Sequence, residues 1–190
     1  TLGLKAAVGY WRTDTRLEYH RDAATFQEKT AEGNTVWSLL DKQRLVLTAA
    51  DKILTSFGPD KGYIMQPETG LVIASESVVA HDMISLAWLL LNRESIPESE
   101  KDMFRDPYES QLVVTLGNHW VVGKLGGWLA ALTPEGLTRN DINTIWDDRV
   151  LNRAYQVLGG RPKIKIKTAN RAVPGELKER LAEITNPSSS

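Results

Sequence analysis

Gly70-Leu71-Val72-Ile73-Ala74-Ser75-Glu76-Ser77-Val78-Val79-Ala80-His81-Asp82 is the stretch on which the fold turns. It opens with a continuous apolar run of the kind that is buried on both faces in a parallel sheet. Ser77 is a good helix N-cap, and apolar residues recur at helical spacing from Val78 to Asn92. Strand, polar turn and helix in succession make the α/β unit. The expected fold is therefore α/β, a mainly parallel sheet flanked by helices that forms part of a larger domain.

Upstream of that stretch, Val36 to Leu40 fits helix spacing, and Arg44-Leu45-Val46-Leu47-Thr48 is β-branched and apolar enough to read as a short buried strand. Phe57-Gly58-Pro59-Asp60-Lys61-Gly62 is punctuated as a loop. Downstream, Gln111 to Leu116 reads as a third apolar strand. Asn140-Asp141 is read as the cap of a helix carrying Ile145, Trp146, Val150 and Leu151, which Gly159-Gly160 closes. Lys163, Lys165 and Lys167 alternate with Ile164 and Ile166, the pattern of a half-buried strand with a basic face. Pro174 opens a last short helix, and Asn186 to Ser190 reads as a frayed tail.

The chain has 190 residues, 42% of them hydrophobic and 25% charged, which suits one folded domain able to bury roughly 70% of its unfolded surface. A net charge of −1 supplies no global field toward nucleic acid or anionic lipid. The one basic patch, Arg161 to Arg171, has no interleaved aromatics and reads as a solvated face, so nucleic acid is not an expected partner. With no cysteine, disulfides and iron–sulfur clusters ligated by this segment are excluded. No apolar run approaches the ~20 residues that span a bilayer. The compartment is left open, with a lean toward the cytoplasm. Thr1-Leu2-Gly3-Leu4-Lys5 has neither an initiator Met nor a signal-like segment, and is read as the start of a piece cut from a longer protein.

In open parallel sheets ligands sit beyond the carboxyl ends of strands. That rule directs attention to the loops between Leu47 and Asp82. Asp51 follows an apolar strand, where a carboxylate can hold a hard cation or act as a base. Gly58 and Gly62 allow close backbone approach, and Ser75 and Ser77 stand at a helix N-terminus suited to an anion. His81 and Asp82 are neighbours on a helix, whose side chains are expected to diverge and not to form a dyad. His119 is read as a structural histidine. No His-Glu-x-x-His, Gly-x-Ser-x-Gly or Walker-type motif occurs.

Taken in order, Thr1 to Gly9, the His20-containing stretch Arg16 to Asp22, Leu45 to Leu54 with Asp51, Gly58-Pro59, Gly62, and Gly70 to Ser75 running through Val79-Ala80-His81-Asp82 resemble the domain of unknown function 362 family. The resemblance covers about the first half of the chain. It implies that Lys5, His20, Asp51, Gly58, Pro59, Gly62, Ser75 and Asp82 occupy the family's motif positions, and that an upstream half normally precedes Gly3-Leu4-Lys5. Ala6 stands where the family often has Asn, and His81 where a small or apolar residue is usual. Some members carry a separate iron–sulfur module, a feature this cysteine-free segment does not inherit.

The family has no settled reaction, so the expectation is a site more than a chemistry: an anion- or metal-dependent small-molecule site on the strand-end loops. Lys5 would hold an anionic group, His20 would be ligand or acid–base, and Asp51 or Asp82 would hold a metal or a proton. Gly58, Pro59, Gly62 and Ser75 would line the ligand. A divalent metal is the admissible cofactor, and the missing upstream half is an expected partner. The alternative is a non-catalytic ligand-binding or assembly protein using the same loops.

Overall fold

A computed structural model of the chain describes residues 3–12, 26–55, 62–101, 120 and 142–186. The helices are α1 (Gly3–Ala6), α2 (Phe26–Asn34), α3 (Trp37–Leu40), α4 (Val78–Arg93), α5 (Arg149–Val157) and α6 (Gly175–Thr185). The strands are β1 (Val46–Ala50), β2 (Ile53–Leu54), β3 (Ile64–Met65) and β4 (Leu71–Ser75). Short 3-10 turns occupy Ala7–Tyr10, Glu98–Glu100 and Ile145–Asp147.

The expected parallel sheet is not what forms. The described residues hold two two-stranded antiparallel ladders, β1 with β4 from Val46↔Ser75 to Ala50↔Leu71, and β2 with β3 from Ile53↔Met65 to Leu54↔Ile64. Together they are one long hairpin. Its outgoing arm has Asp51 and Lys52 between the ladders, while the returning arm has Gln66 to Gly70, including Pro67, which lacks the N–H a ladder needs. Parallel pairing requires a crossover, usually a helix, to carry the chain back to the starting end. A β2–β3 hairpin stands there instead, so the chain returns antiparallel.

Nor is β4 buried on both faces. Leu71 and Ile73 are in the core, but Val72 is 70% exposed, as is Leu47 at 61% across the ladder. The alternation of a one-sided sheet is present but masked, because the outward residues are also apolar.

α4 covers the inner face. The Ser77 hydroxyl accepts from the Ala80 N–H at 3.2 Å, giving the expected cap. Val79, Met83, Leu86 and Ala87 of α4 join Leu71, Ile73 and Ala50 in one core. Trp88 Nε1 reaches the Ala50 carbonyl at 3.4 Å. On its other sides α4 meets α1, α5 and α6.

α5 begins at Arg149. Its cap is Asp148, which accepts from Leu151 N–H at 2.7 Å, and not Asn140-Asp141, which lie outside the described residues. Its C-terminus closes with Gly160 N–H on the Tyr155 carbonyl and Gly159 N–H on that of Gln156, with Gly159 at φ 80°, a Schellman ending. α5 lies along α2, where Arg149 grips Glu28 through two bonds of 2.7 and 2.8 Å and Arg153 pairs with Glu32 one turn on. The i, i+4 spacing on both helices places the two pairs on one seam. Partly exposed pairs of this kind contribute at most about 1 kcal/mol each.

α1 and the turn after it are held from α2. Asn34 accepts from Trp11 Nε1 at 3.0 Å and donates to the Leu4 carbonyl. Gly33 lies under the Trp11 ring, where a methyl group would stand 2.1 Å from Cζ2. Gly33→Ala should therefore displace the indole and cut its bond to Asn34, at a cost of about 1–3 kcal/mol. A fall in the urea midpoint with a change in tryptophan emission would report it; an unchanged midpoint would mean the ring moves aside freely.

Candidate functional site

Among the described residues singled out between Lys5 and Asp82, Lys5 and Asp51 stand at opposite ends of β1. His20, Gly58 and Pro59, like His119 and the Gln111 to Leu116 strand reading, lie outside the described residues. Lys5 is exposed on α1. A methyl group on Gly3 would lie 3.0 Å from Val46 Cγ1, so α1 stands by the first residue of β1, whereas exposed Asp51 follows its last. Five extended residues cover ~17 Å, and no ion pair joins Lys5 to Asp51. Gly62 is half-buried just before β3.

Asp82 is almost fully buried. Its Oδ1 accepts the Gly3 N–H at 2.6 Å and its Oδ2 the Leu4 N–H at 2.9 Å, so a carboxylate on α4 satisfies the open N-terminal amides of α1. Its Oδ1 also lies 3.0 Å from His81 Nδ1. The expectation that adjacent helical side chains diverge is thus corrected. The Cβ vectors do splay apart, yet each side chain extends far enough beyond Cβ for one nitrogen and one oxygen to meet. The other histidine nitrogen, Nε2, is buried with no hydrogen-bond partner among the described residues, as are Ser85 Oγ one turn on and Tyr155 Oη on α5. No three or more acidic or histidine side chains among the described residues are grouped so that they could hold a metal ion. No helix there is long and apolar enough to cross a membrane.

Burial raises the Asp148 carboxyl above its ordinary range, against the pull of its cap bond to Leu151. Burial likewise pushes the Tyr155 hydroxyl up to about 12, with Arg161 opposing and the charges of Asp148 and Asp82 adding to the rise. The Arg161 guanidinium stacks over the Trp146 ring at 4.7 Å and over Tyr155 at 5.5 Å, closing this end of the molecule.

Side chains do converge across a cleft of about 540 Å³, within the range of ligand pockets. One wall is β4 and the other is the extended segment 163–167, with α4 and α6 beneath. Among the described residues four lysines line it, Lys163, Lys165, Lys167 and Lys178, and no carboxylate does. None of the four has an ion-pair partner among the described residues. Ile164 and Ile166 turn inward against the core while the alternating lysines are exposed. The segment is held by Asn186, whose side-chain oxygen accepts the Ile164 N–H at 2.8 Å and whose amide donates to the Ile164 carbonyl at 2.9 Å. Asn186, read from sequence as the start of a loose tail, is a structural clamp. Ser75, expected at a ligand, is on the β4 wall; its hydroxyl accepts from the Ser77 N–H at 3.1 Å.

The alternating basic residues were legible in the sequence. What opposes them was not, because β4 is almost a hundred positions away and no local pattern reports that separation.

The family model of a domain of unknown function (DUF362) matches residues 1–87. Over that stretch, less than half of the chain, the sequence is similar to this family. The matched segment contains β1 to β4 and ends within α4, so it supplies one wall of the cleft, while the lysine wall comes from the part of the chain beyond the match. No curated protein and no solved structure matches the chain.

Proposed function

We propose that the chain is a binding protein that holds an anionic ligand in the cleft between β4 and residues 163–167. One observation carries this reading: among the described residues, four lysines without counter-charges line a cleft to which no acid contributes. Unpaired like charges around a concave surface raise the local potential and attract an anion, and the apolar floor strengthens the attraction by excluding water. The choice between catalysis and binding falls on binding, since no nucleophile–base pair faces the lysines among the described residues. His81 lies beneath the cleft and is closed from solvent. A small-molecule site built on Lys5 and Asp51 would need two groups at opposite ends of β1 to meet.

The test is calorimetric titration of the chain with inorganic tripolyphosphate and, separately, with a short acidic peptide. Binding of at least one is expected, weakening with ionic strength. The combined variant Lys163→Gln, Lys165→Gln, Lys167→Gln should bind about tenfold more weakly, from three partly screened charges. All three side chains are exposed, so the variant should fold. Binding by neither probe, or equal binding by the variant, would reject the cleft as an anion site.

A further inference from the structure

The walls of this cleft are β4 and residues 163–167, whose burial alternates as in an extended chain and between which no backbone hydrogen bond forms. Among the described residues β4 has a partner, β1, on one edge only. In an antiparallel pair alternate residues turn their N–H and C=O groups away from the partner, so β4 presents on its other edge a row of donors and acceptors that no other described strand pairs with. Opposite it, segment 163–167 makes no backbone–backbone hydrogen bond with the described residues, and its contacts with Asn186 engage Ile164 alone. In an extended chain successive residues direct their backbone groups to opposite edges. The groups of Lys163, Lys165 and Lys167 therefore point away from the Asn186 side.

The side chains on the two walls are in phase. Leu71 and Ile73 of β4 are buried, and Ile164 and Ile166 are packed against the same core. Val72 and Ala74 face out on one wall, and the lysines face out on the other. A strand lying between them would have apolar neighbours on its inner face and lysines beside its outer face, the arrangement that cross-strand pairing rewards when the inserted residues alternate apolar and acidic.

Resting on the anion-binding reading above, we propose that the ligand is an extended polypeptide segment of a partner protein, with acidic and apolar residues in alternation, which adds to the free edge of β4 as a strand and is held on its other side by residues 163–167. Backbone hydrogen bonds supply affinity, and the lysines select acidic side chains at every second position. A compact anion satisfies the lysines but leaves the β4 edge unused.

The experiment compares a peptide of alternating Glu and Val with the same peptide methylated at alternate backbone nitrogens. Methylation keeps the charge and removes half of the donors. The parent should bind at least tenfold more tightly than the methylated form, and should slow amide exchange at residues 71–75 and 163–167 together. Equal binding of both peptides without slowed exchange at 71–75 overturns the strand-addition model, while loss of binding in the triple Lys→Gln variant would still uphold the anion site. Slow exchange on both walls already in the free protein, with or without dimerisation in light scattering, would assign the slot to this chain or a second copy and overturn the partner-peptide assignment.

Discussion

Replacing Asp82 with Ala should cost about 3–5 kcal/mol of folding stability, a large share of what holds a domain of this size together. The carboxylate is almost wholly buried and accepts the Gly3 and Leu4 N–H groups at 2.6 and 2.9 Å, with His81 Nδ1 at 3.0 Å from the same Oδ1. Charge-assisted bonds of this kind are worth ~1.5–3 kcal/mol apiece, and removing the acceptor strands two amides and an imidazole in a dry environment. Asp82→Asn should be milder but still destabilising, since one oxygen remains while its new N–H₂ group faces N–H donors. The effect should be local as well as global. Amide exchange at Leu4, whose side chain is fully buried against α4, should accelerate before the rest of the core opens. Chemical denaturation of both variants, with exchange at Leu4, makes the check; a loss below about 1 kcal/mol for Asp82→Ala would show that α1 is not anchored through this carboxylate.

The second large effect is a decline of stability at alkaline pH that belongs to Tyr155. Its hydroxyl is raised from 10 to about 12, chiefly by burial. Between those values the unfolded chain has lost the phenol proton while the folded chain retains it. The folded state then binds more protons, and stability must fall as pH rises. The contribution is intact below pH 10 and is lost through about pH 12, amounting to ~2–3 kcal/mol. Tyr155→Phe should remove that slope. At neutral pH the same variant should be neutral or up to about 1 kcal/mol more stable, because Tyr155 Oη is buried without a hydrogen-bond partner among the described residues. Urea midpoints across the alkaline range for both proteins decide it. Parallel declines would place the alkaline sensitivity on other groups, such as the lysines.

The two effects share a physical origin. α1, α4 and α5 meet around a small set of buried polar groups, among them Asp82, His81, Asp148 and Tyr155, inside an otherwise apolar core. Asp82 has donors for both oxygens and Asp148 is capped by Leu151, whereas the Tyr155 hydroxyl has no partner among the described residues. Backbone N–H groups offset part of the cost of burying a polar side chain, and at Asp148 burial still outweighs them.

The sequence by itself determined what is local. The Ser77 cap and the apolar spacing after it placed α4. The runs around Val46 and Leu71 located β1 and β4, the two glycines after Leu158 closed α5, and Pro174 opened α6. The succession from Gly3 to Asp82 carried the DUF362 resemblance, which the match over residues 1–87 shows. Strand direction was not legible. Leu71 to Ser75 reads the same in either sense, and direction was set by the hairpin that replaces a crossover helix between Ala50 and Leu71. The apolar residues Leu47 and Val72 concealed which face meets water. Asp82 looked like a ligand because a carboxylate in a strand–helix unit has the same letter whether it meets a metal or two backbone amides. That the lysines at 163, 165 and 167 share a cleft with β4 was not legible, because the two segments come together only when α4 and α6 pack. Periodicity and capping act over a few residues, whereas pairing partners, burial of a charge and the walls of a cleft depend on which distant segments share one core, and that was decided by the tertiary structure alone.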